Sequence, residues 1–133
     1  MIFVLTALAG GGALAVNLVL AAVAAVFSVF CLAWGGYAET VFGRKDPSQV
    51  TADEWAGQAL TYIALPGLGG RELAISAAVG FVLFRVMDIV KPPPARQIQR
   101  LSAGTGILLD DIIAAVYANI AAQVVLRLAL HMQ

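Results

Sequence analysis

The stretch ALAVNLVLAAVAAVFSVFCLAW, residues 13–34, decides the fold class. It runs for 22 residues without a charged side chain. As a helix rising 1.5 Å per residue it covers about 33 Å, enough to cross the roughly 30 Å hydrocarbon core of a bilayer. A β-barrel would show short segments of alternating polarity, and the sequence has none. Helices are therefore expected, because a helix satisfies its own backbone hydrogen bonds in lipid.

The whole chain has the same character. Its 133 residues are 61% hydrophobic and only 12% charged, with a mean hydropathy of +0.89. That is too apolar for a soluble domain of this size. The formal net charge is zero, so nothing points to nucleic acid. Cys31 is the sole cysteine, which excludes a disulfide framework and reads as a small buried apolar residue.

Working outward from residues 13–34, Gly10–Gly12 separates a short apolar piece at residues 2–9. No basic segment precedes that piece, so it reads as membrane structure rather than as a secretory signal. Its abrupt start leads us to expect that an upstream segment is missing. On the other side, GGYAETVFGRKDPSQVTA (35–52) reads as a polar connection. A helix is then expected from Asp53 to Pro66, about 20 Å long and short for a full span. Residues 71–90 form the next span, stopped by Lys91 and three prolines. ARQIQRLSAGTG (95–106) is a basic connection that could lie along the membrane interface. The last helix is expected from Ile107 to Leu130. The prediction is one domain over residues 1–133. It is all-α, a polytopic membrane bundle of about four helices plus a short N-terminal piece.

Arginine and lysine set the sidedness. The connections at 35–52 and 91–106 carry Arg44, Lys45, Lys91, Arg96 and Arg100, and are expected in the cytoplasm. Arg71 and Arg127 fall toward the other side. If the 53–65 helix crosses most of the bilayer, Asp46, Asp53, Glu54, Arg85, Asp88, Lys91, Asp110 and Asp111 share the cytoplasmic end.

Each group has an ordinary explanation. Arg85, Asp88 and Lys91, spaced i, i+3, i+6, could be a surface ladder. Asp53 and Glu54 complement a helix N-terminus, and Asp53 could cap it. Charges within membrane helices are costly, however, and usually mark function. Gly57 leaves room for a neighbour on the Asp53 face. Ala114, Ala118 and Ala122 continue from Asp110 as a ridge for close helix packing, which turns Asp110 inward. Asp111 heads a polar row with Asn119 and Gln123. Five clustered carboxylates need a cation to offset their repulsion, and oxygen donors suit Mg²⁺, Mn²⁺ or Ca²⁺ rather than zinc. His131, the one histidine, falls at the far end. With Arg85 and Lys91 the set has the parts of a phosphate site. The residues alone leave hydrolase, transferase and ion pathway open.

Three motifs resemble those of the phosphatidylglycerophosphatase A family. DPSQVTADEWAG (46–57) matches its D-P/H-x-x-I-V-x-D-E-x-x-G element, FRVMDIVKPPPAR (84–96) its F-R-x-x-D-x-x-K-P-x-P-x-R element, and GTGILLDDIIAA (104–115) its G-x-G-x-x-x-D-D-x-x-A-G element. They occur in the family's order and spacing from Asp46 to about Ala118, a stretch of over half the chain. Departures are Gln99 for an acid, Ala115 for a glycine, and no counterpart of an upstream P-G-T-x-G-S element. Residues 2–9 therefore look like the tail of the family's first helix.

The resemblance implies a bacterial inner-membrane phosphatase with a cytoplasm-facing site. It would act with Mg²⁺ on phosphatidylglycerophosphate, releasing phosphatidylglycerol and phosphate. Asp53, Glu54, Asp88, Asp110 and Asp111 would be metal ligands. Glu54, Asp88, Asp110 and Asp111 are the catalytic candidates, and Arg85, Lys91 and Arg96 would hold phosphate. Membrane lipids are the expected partners. A coupled ion or proton transport module is the alternative, as is a catalytically silent homologue. Transport favours acids spread through the membrane depth, whereas these gather at one end.

Overall fold

The computed structural model describes residues 1–10, 12–43, 51–98 and 103–131. Among these, all regular structure is helical: α1 (Ile2–Leu8), α2 (Ala13–Phe42), α3 (Ala52–Thr61), α4 (Gly70–Val90), α5 (Ala95–Ile98) and α6 (Ala103–His131). The helices α2, α4 and α6 are long and apolar enough to cross a membrane. The molecule is a helical membrane bundle.

Three boundaries differ from the sequence reading, one of them the end of α3, at Thr61 rather than Pro66. Residues 35–42 continue α2 instead of forming a connection, and the helix stops at Gly43 in the left-handed conformation with φ 64°, where glycine carries no Cβ penalty. The pair Gly35–Gly36 looks like a break in the sequence, but both lie inside the continuous helix and Gly35 is buried. The last helix begins at Ala103, four residues before Ile107. Of the expected interfacial segment at 95–106, the structure describes one turn, α5, and the start of α6.

α3 is the unusual element. Ten residues give it a length of about 15 Å, half a bilayer core. The chain then runs on to α4 as irregular backbone at 62–69. Non-helical backbone is tolerated in a membrane only where protein covers and satisfies it. Here the neighbours do so with side chains. Asn119 of α6 donates from Nδ2 to the carbonyls of Thr61 and Ile63, at 2.8 Å each. Asn17 of α2 accepts from the Ala64 amide at 2.9 Å. Ser76 of α4 donates to the Pro66 carbonyl at 2.7 Å. The Tyr62 hydroxyl donates to the Ala77 carbonyl at 2.9 Å.

Small residues set the packing. In lipid there is little hydrophobic drive between helices, so contact depends on close approach. Ala114, Ala118 and Ala122 are buried as the ridge required, joined by Ala115, and Phe84 packs against three of these alanines. Gly57 lies where α3, α4 and α6 approach closely. A Cβ there would sit 2.7 Å from Phe84 Cε2 and 3.1 Å from the Asp111 carbonyl oxygen. The ring can shift but the α6 backbone cannot easily follow. Gly57→Ala should therefore cost about 1–3 kcal/mol, the usual range for overpacking. A thermal midpoint in detergent equal to that of the parent would refute this.

Toward the other end Phe3 of α1 stacks on Tyr62, with centroids 4.7 Å apart. This contact belongs to a core with Val16, Leu20, Leu65 and Leu126. Cys31, Ala56, Ile107 and Leu108 pack together at the level where α3 begins. Beyond Cys31, α2 continues for eleven residues, about 16 Å, with Trp34 and Tyr37 exposed. Such amphipathic rings favour the membrane–water boundary.

Candidate active site

The chain brings Asp53, Glu54, Arg85, Asp88, Lys91, Asp110 and Asp111 together at one end of the bundle, where α4 ends and α3 and α6 begin. This holds although α3 is short, because the 62–69 segment carries the chain on to α4. Asp53 and Glu54 are consecutive in the first turn of α3, so about 100° of helical rotation separates them. That rotation divides the site into two branches.

On the inner branch, Asp53, Asp110 and Asp111 are 4%, 2% and 4% exposed. Lys91 Nζ donates to Asp110 Oδ2 at 2.5 Å, joining the end of α4 to α6. The charges of Asp53, Asp88, Asp110 and Lys91 all act on Asp111. On the outer branch, Arg85 lies 3.0 Å from Glu54 Oε1 and 3.4 Å from Asp88 Oδ2. The Arg85 and Glu54 side chains are about two-fifths exposed. The i, i+3 pairing of Arg85 with Asp88 is thus present, whereas Lys91 turns away to α6.

Backbone geometry explains that turn. Lys91 caps α4 in the left-handed region with φ 47° and ψ 70°, its amide donating to the Met87 carbonyl at 2.8 Å. A lysine there is strained, more so before a proline. The Tyr117 hydroxyl donates to the Pro93 carbonyl at 3.1 Å, holding the proline loop to α6. Burial works against the Lys91 charge. The hydrogen bond to Asp110 and the charges of Asp110, Asp88 and Asp111 outweigh it, so the amine is held above the usual lysine range. Lys91 is a fixed cation at this site, not a base.

Five acids facing two cations leave the cluster short of positive charge. Hard oxygen donors of this kind suit a divalent cation such as Mg²⁺. The buried Asp111 Oδ2 has no hydrogen-bond donor, which fits an atom kept for a cation or a proton. As the side chains lie, no three acid, histidine or cysteine groups among the described residues converge on one point. A cation would have to recruit them by side-chain rotation. Asp46 and the Arg96 side chain lie outside the described residues.

The polar row on α6 continues below Asp111 as a seam of part-buried hydrogen bonds. Asn119 closes the end of α3, Gln123 Nε2 reaches Asn119 Oδ1 at 3.5 Å, and Arg127 donates to Gln123 Oε1 from Nε at 3.1 Å and from the guanidinium tip at 2.8 Å. It is a structural chain leading away from the acids. The sequence reading passed over Gln58 and Trp55, which face a cleft beside Arg85. Gln58 carried a signal: it is a polar residue one turn after Glu54 in an otherwise apolar run.

The sequence model of the phosphatidylglycerophosphatase A family matches residues 1–126. A putative phosphatidylinositol-3-phosphatase of Bacteroides thetaiotaomicron is 38% identical over 76 residues, 57% of this chain and 46% of that protein. A phosphatidylglycerophosphatase A of Haemophilus influenzae is 33% identical over 100 residues, 71% of this chain and 59% of that one. Its namesake in Escherichia coli is 39% identical over 75 residues, 56% and 41% of the two chains. The chain spans about half the length of these curated relatives. No solved structure matches significantly.

Proposed function

Because the chain belongs to the phosphatidylglycerophosphatase A family, we propose that it hydrolyses phosphatidylglycerophosphate to phosphatidylglycerol and inorganic phosphate. The observation that carries this reading is the buried Asp53–Asp110–Asp111 group, with Lys91 at its edge, gathered at one end of a membrane bundle. A substrate with buried acyl chains presents its phosphate at such a level. The lysine and arginine balance of the flanking connections supports placing this end in the cytoplasm.

Lys91 and Arg85 hold phosphate oxygens and stabilise the negative charge that grows on them. Asp53, Glu54, Asp88, Asp110 and Asp111 would hold Mg²⁺, which when bound would polarise the phosphate and acidify a water. One of the same acids takes the proton of the attacking water, and Asp111 Oδ2 has the open acceptor for it. The water oxygen bonds to phosphorus, the bond from phosphorus to the glycerol oxygen breaks, and the proton passes to that leaving oxygen. Attack by an aspartate first, giving an aspartyl phosphate, is the competing route. Isotopically labelled water appears in the released phosphate by either route, but only the second leaves a trappable phosphoenzyme.

The test is phosphate release by purified protein in detergent, with Mg²⁺ or EDTA, beside Asp88→Asn. Release should stop with EDTA and return with Mg²⁺. Asp88→Asn should lose roughly tenfold or more, as for a lost electrostatic partner. Release that ignores both changes would sink the metal–carboxylate reading. Phosphatidylinositol 3-phosphate belongs in the same assay, because one relative carries that activity in its name. Faster turnover of that lipid would move the assignment to it.

A further inference from the structure

Three consecutive prolines, Pro92, Pro93 and Pro94, join α4 to α5. Proline has no N–H, so this turn offers its neighbours carbonyls only. Each carbonyl can be followed to its donor. Pro92 accepts from the Ala95 amide at 2.9 Å, and Pro94 accepts from the Gln97 and Ile98 amides at 2.9 Å and 3.1 Å. Those bonds close the turn onto α5. The Pro93 carbonyl is turned instead to α6, where its donor among the described residues is the Tyr117 hydroxyl, at 3.1 Å.

Tyr117 stands seven residues after Asp110, within about 20° of two full helical turns, so both lie on one face of α6. Long side chains on a helix lean toward its N-terminus, which brings the phenol back toward the proline turn. The turn is thus bound to that face twice within three residues, by Lys91 Nζ to Asp110 and by the Pro93 carbonyl to Tyr117. The backbone between these bonds is constrained. Lys91 has a φ of 47°, a left-handed conformation that a lysine keeps only where its surroundings hold it, and the prolines after it have fixed φ. Tyr117 is 41% exposed. Its bond is therefore made on the outside of the bundle, and losing the hydroxyl opens no cavity in the core.

We propose that Tyr117 is a positioning residue for Lys91. By holding the Pro93 carbonyl against α6 it fixes the strained turn and keeps the Lys91 amine on Asp110. The bearing of Tyr117 on phosphate release rests on the lipid phosphatase reading. Its bearing on Lys91 does not.

The chain has two lysines, Lys45 and Lys91, so brief amine acetylation read by mass spectrometry gives Lys91 an internal reference. The full chain would be acetylated in phosphatidylcholine nanodiscs at constant, mildly alkaline pH. Tyr117→Phe, which loses only the hydroxyl, should raise the ratio of Lys91 to Lys45 acetylation about fivefold, the effect of one hydrogen bond of ordinary strength. In an Asp110→Asn background the amine has already lost its partner. There the same change should move the ratio by less than about twofold, because two substitutions acting through one contact do not add. A ratio that ignores Tyr117→Phe would overturn the proposal. So would an equal rise in both backgrounds, since general loosening acts with or without Asp110. Should Asp110→Asn fail to fold, amide exchange in Tyr117→Phe takes its place: exchange unchanged along α4 upholds the proposal, and exchange quickened along α4 overturns it. Release of phosphate from phosphatidylglycerophosphate separates the two readings. It should fall about fivefold in Tyr117→Phe and no further when Tyr117→Phe is added to Lys91→Ala. A raised ratio with no release from any form keeps the Tyr117 contact and removes the phosphatase. A raised ratio with release unmoved by Tyr117→Phe removes Tyr117 from the reaction.

Discussion

Lys91→Ala should lower phosphate release by about 10²–10³-fold, the range for loss of a group that stabilises developing charge, and should destabilise the fold as well. Lys91 is the cation bonded to Asp110, which is 2% exposed. Removing one partner of a buried pair leaves a charge that the interior cannot solvate. The expected cost is roughly 3 kcal/mol, the low end of the range for broken buried pairs, because the lysine is partly exposed. The double variant Lys91→Met with Asp110→Asn removes both charges at similar volume. It should regain most of the stability and none of the activity. An active double variant would show that the pair is structural only. The pair's pH dependence follows from the raised Lys91 pKa. Its contribution is fully present below the ordinary lysine value of 10.5 and is lost only as pH rises through the higher folded value. A loss of stability between pH 7 and 9 would have to come from another group.

The second large effect is expected at Asn119, far from the acids. Asn119→Leu leaves the carbonyls of Thr61 and Ile63 without their donor. Each buried group left unsatisfied costs about 1–3 kcal/mol, so the pair costs about 2–6 kcal/mol. Asn119→Asp preserves shape but has no N–H to donate, and should be no better. Amide exchange in α3 should quicken in both variants, and activity should fall because Asp53 and Glu54 ride on that helix. Unchanged exchange in α3 would show that the irregular segment supports itself.

These two residues also mark how far the sequence could be read. The spans at 13–34 and 71–90 were legible because apolar length suffices to identify them. The inward face of Asp110 was legible because the alanines repeat every four residues. Gly57 was legible as a place of close approach. The end of α3 was not legible. Nothing local stops a helix at Thr61 rather than at Pro66. The stop depends on Asn119 and Asn17, which are 58 and 47 residues away from the groups they bind. The partner of Lys91 was equally hidden. It follows from the left-handed backbone at Lys91, a conformation that lysine does not advertise. Spacing alone placed Lys91 with Asp88; the αL turn hands it to Asp110.

The short helix has a mechanical consequence. α6 packs along α3, and its contacts include the Asp111 backbone beside Gly57 and the Asn119 amide, eight residues or about 12 Å apart along α6. A rod held at two points on one neighbour can neither slide nor roll against it. Bilayers of different thickness are met by tilt of the long spans, and α3 tilts with α6 as one piece. The spacing between its acids and those of α6 is therefore insulated from the thickness of the membrane around it.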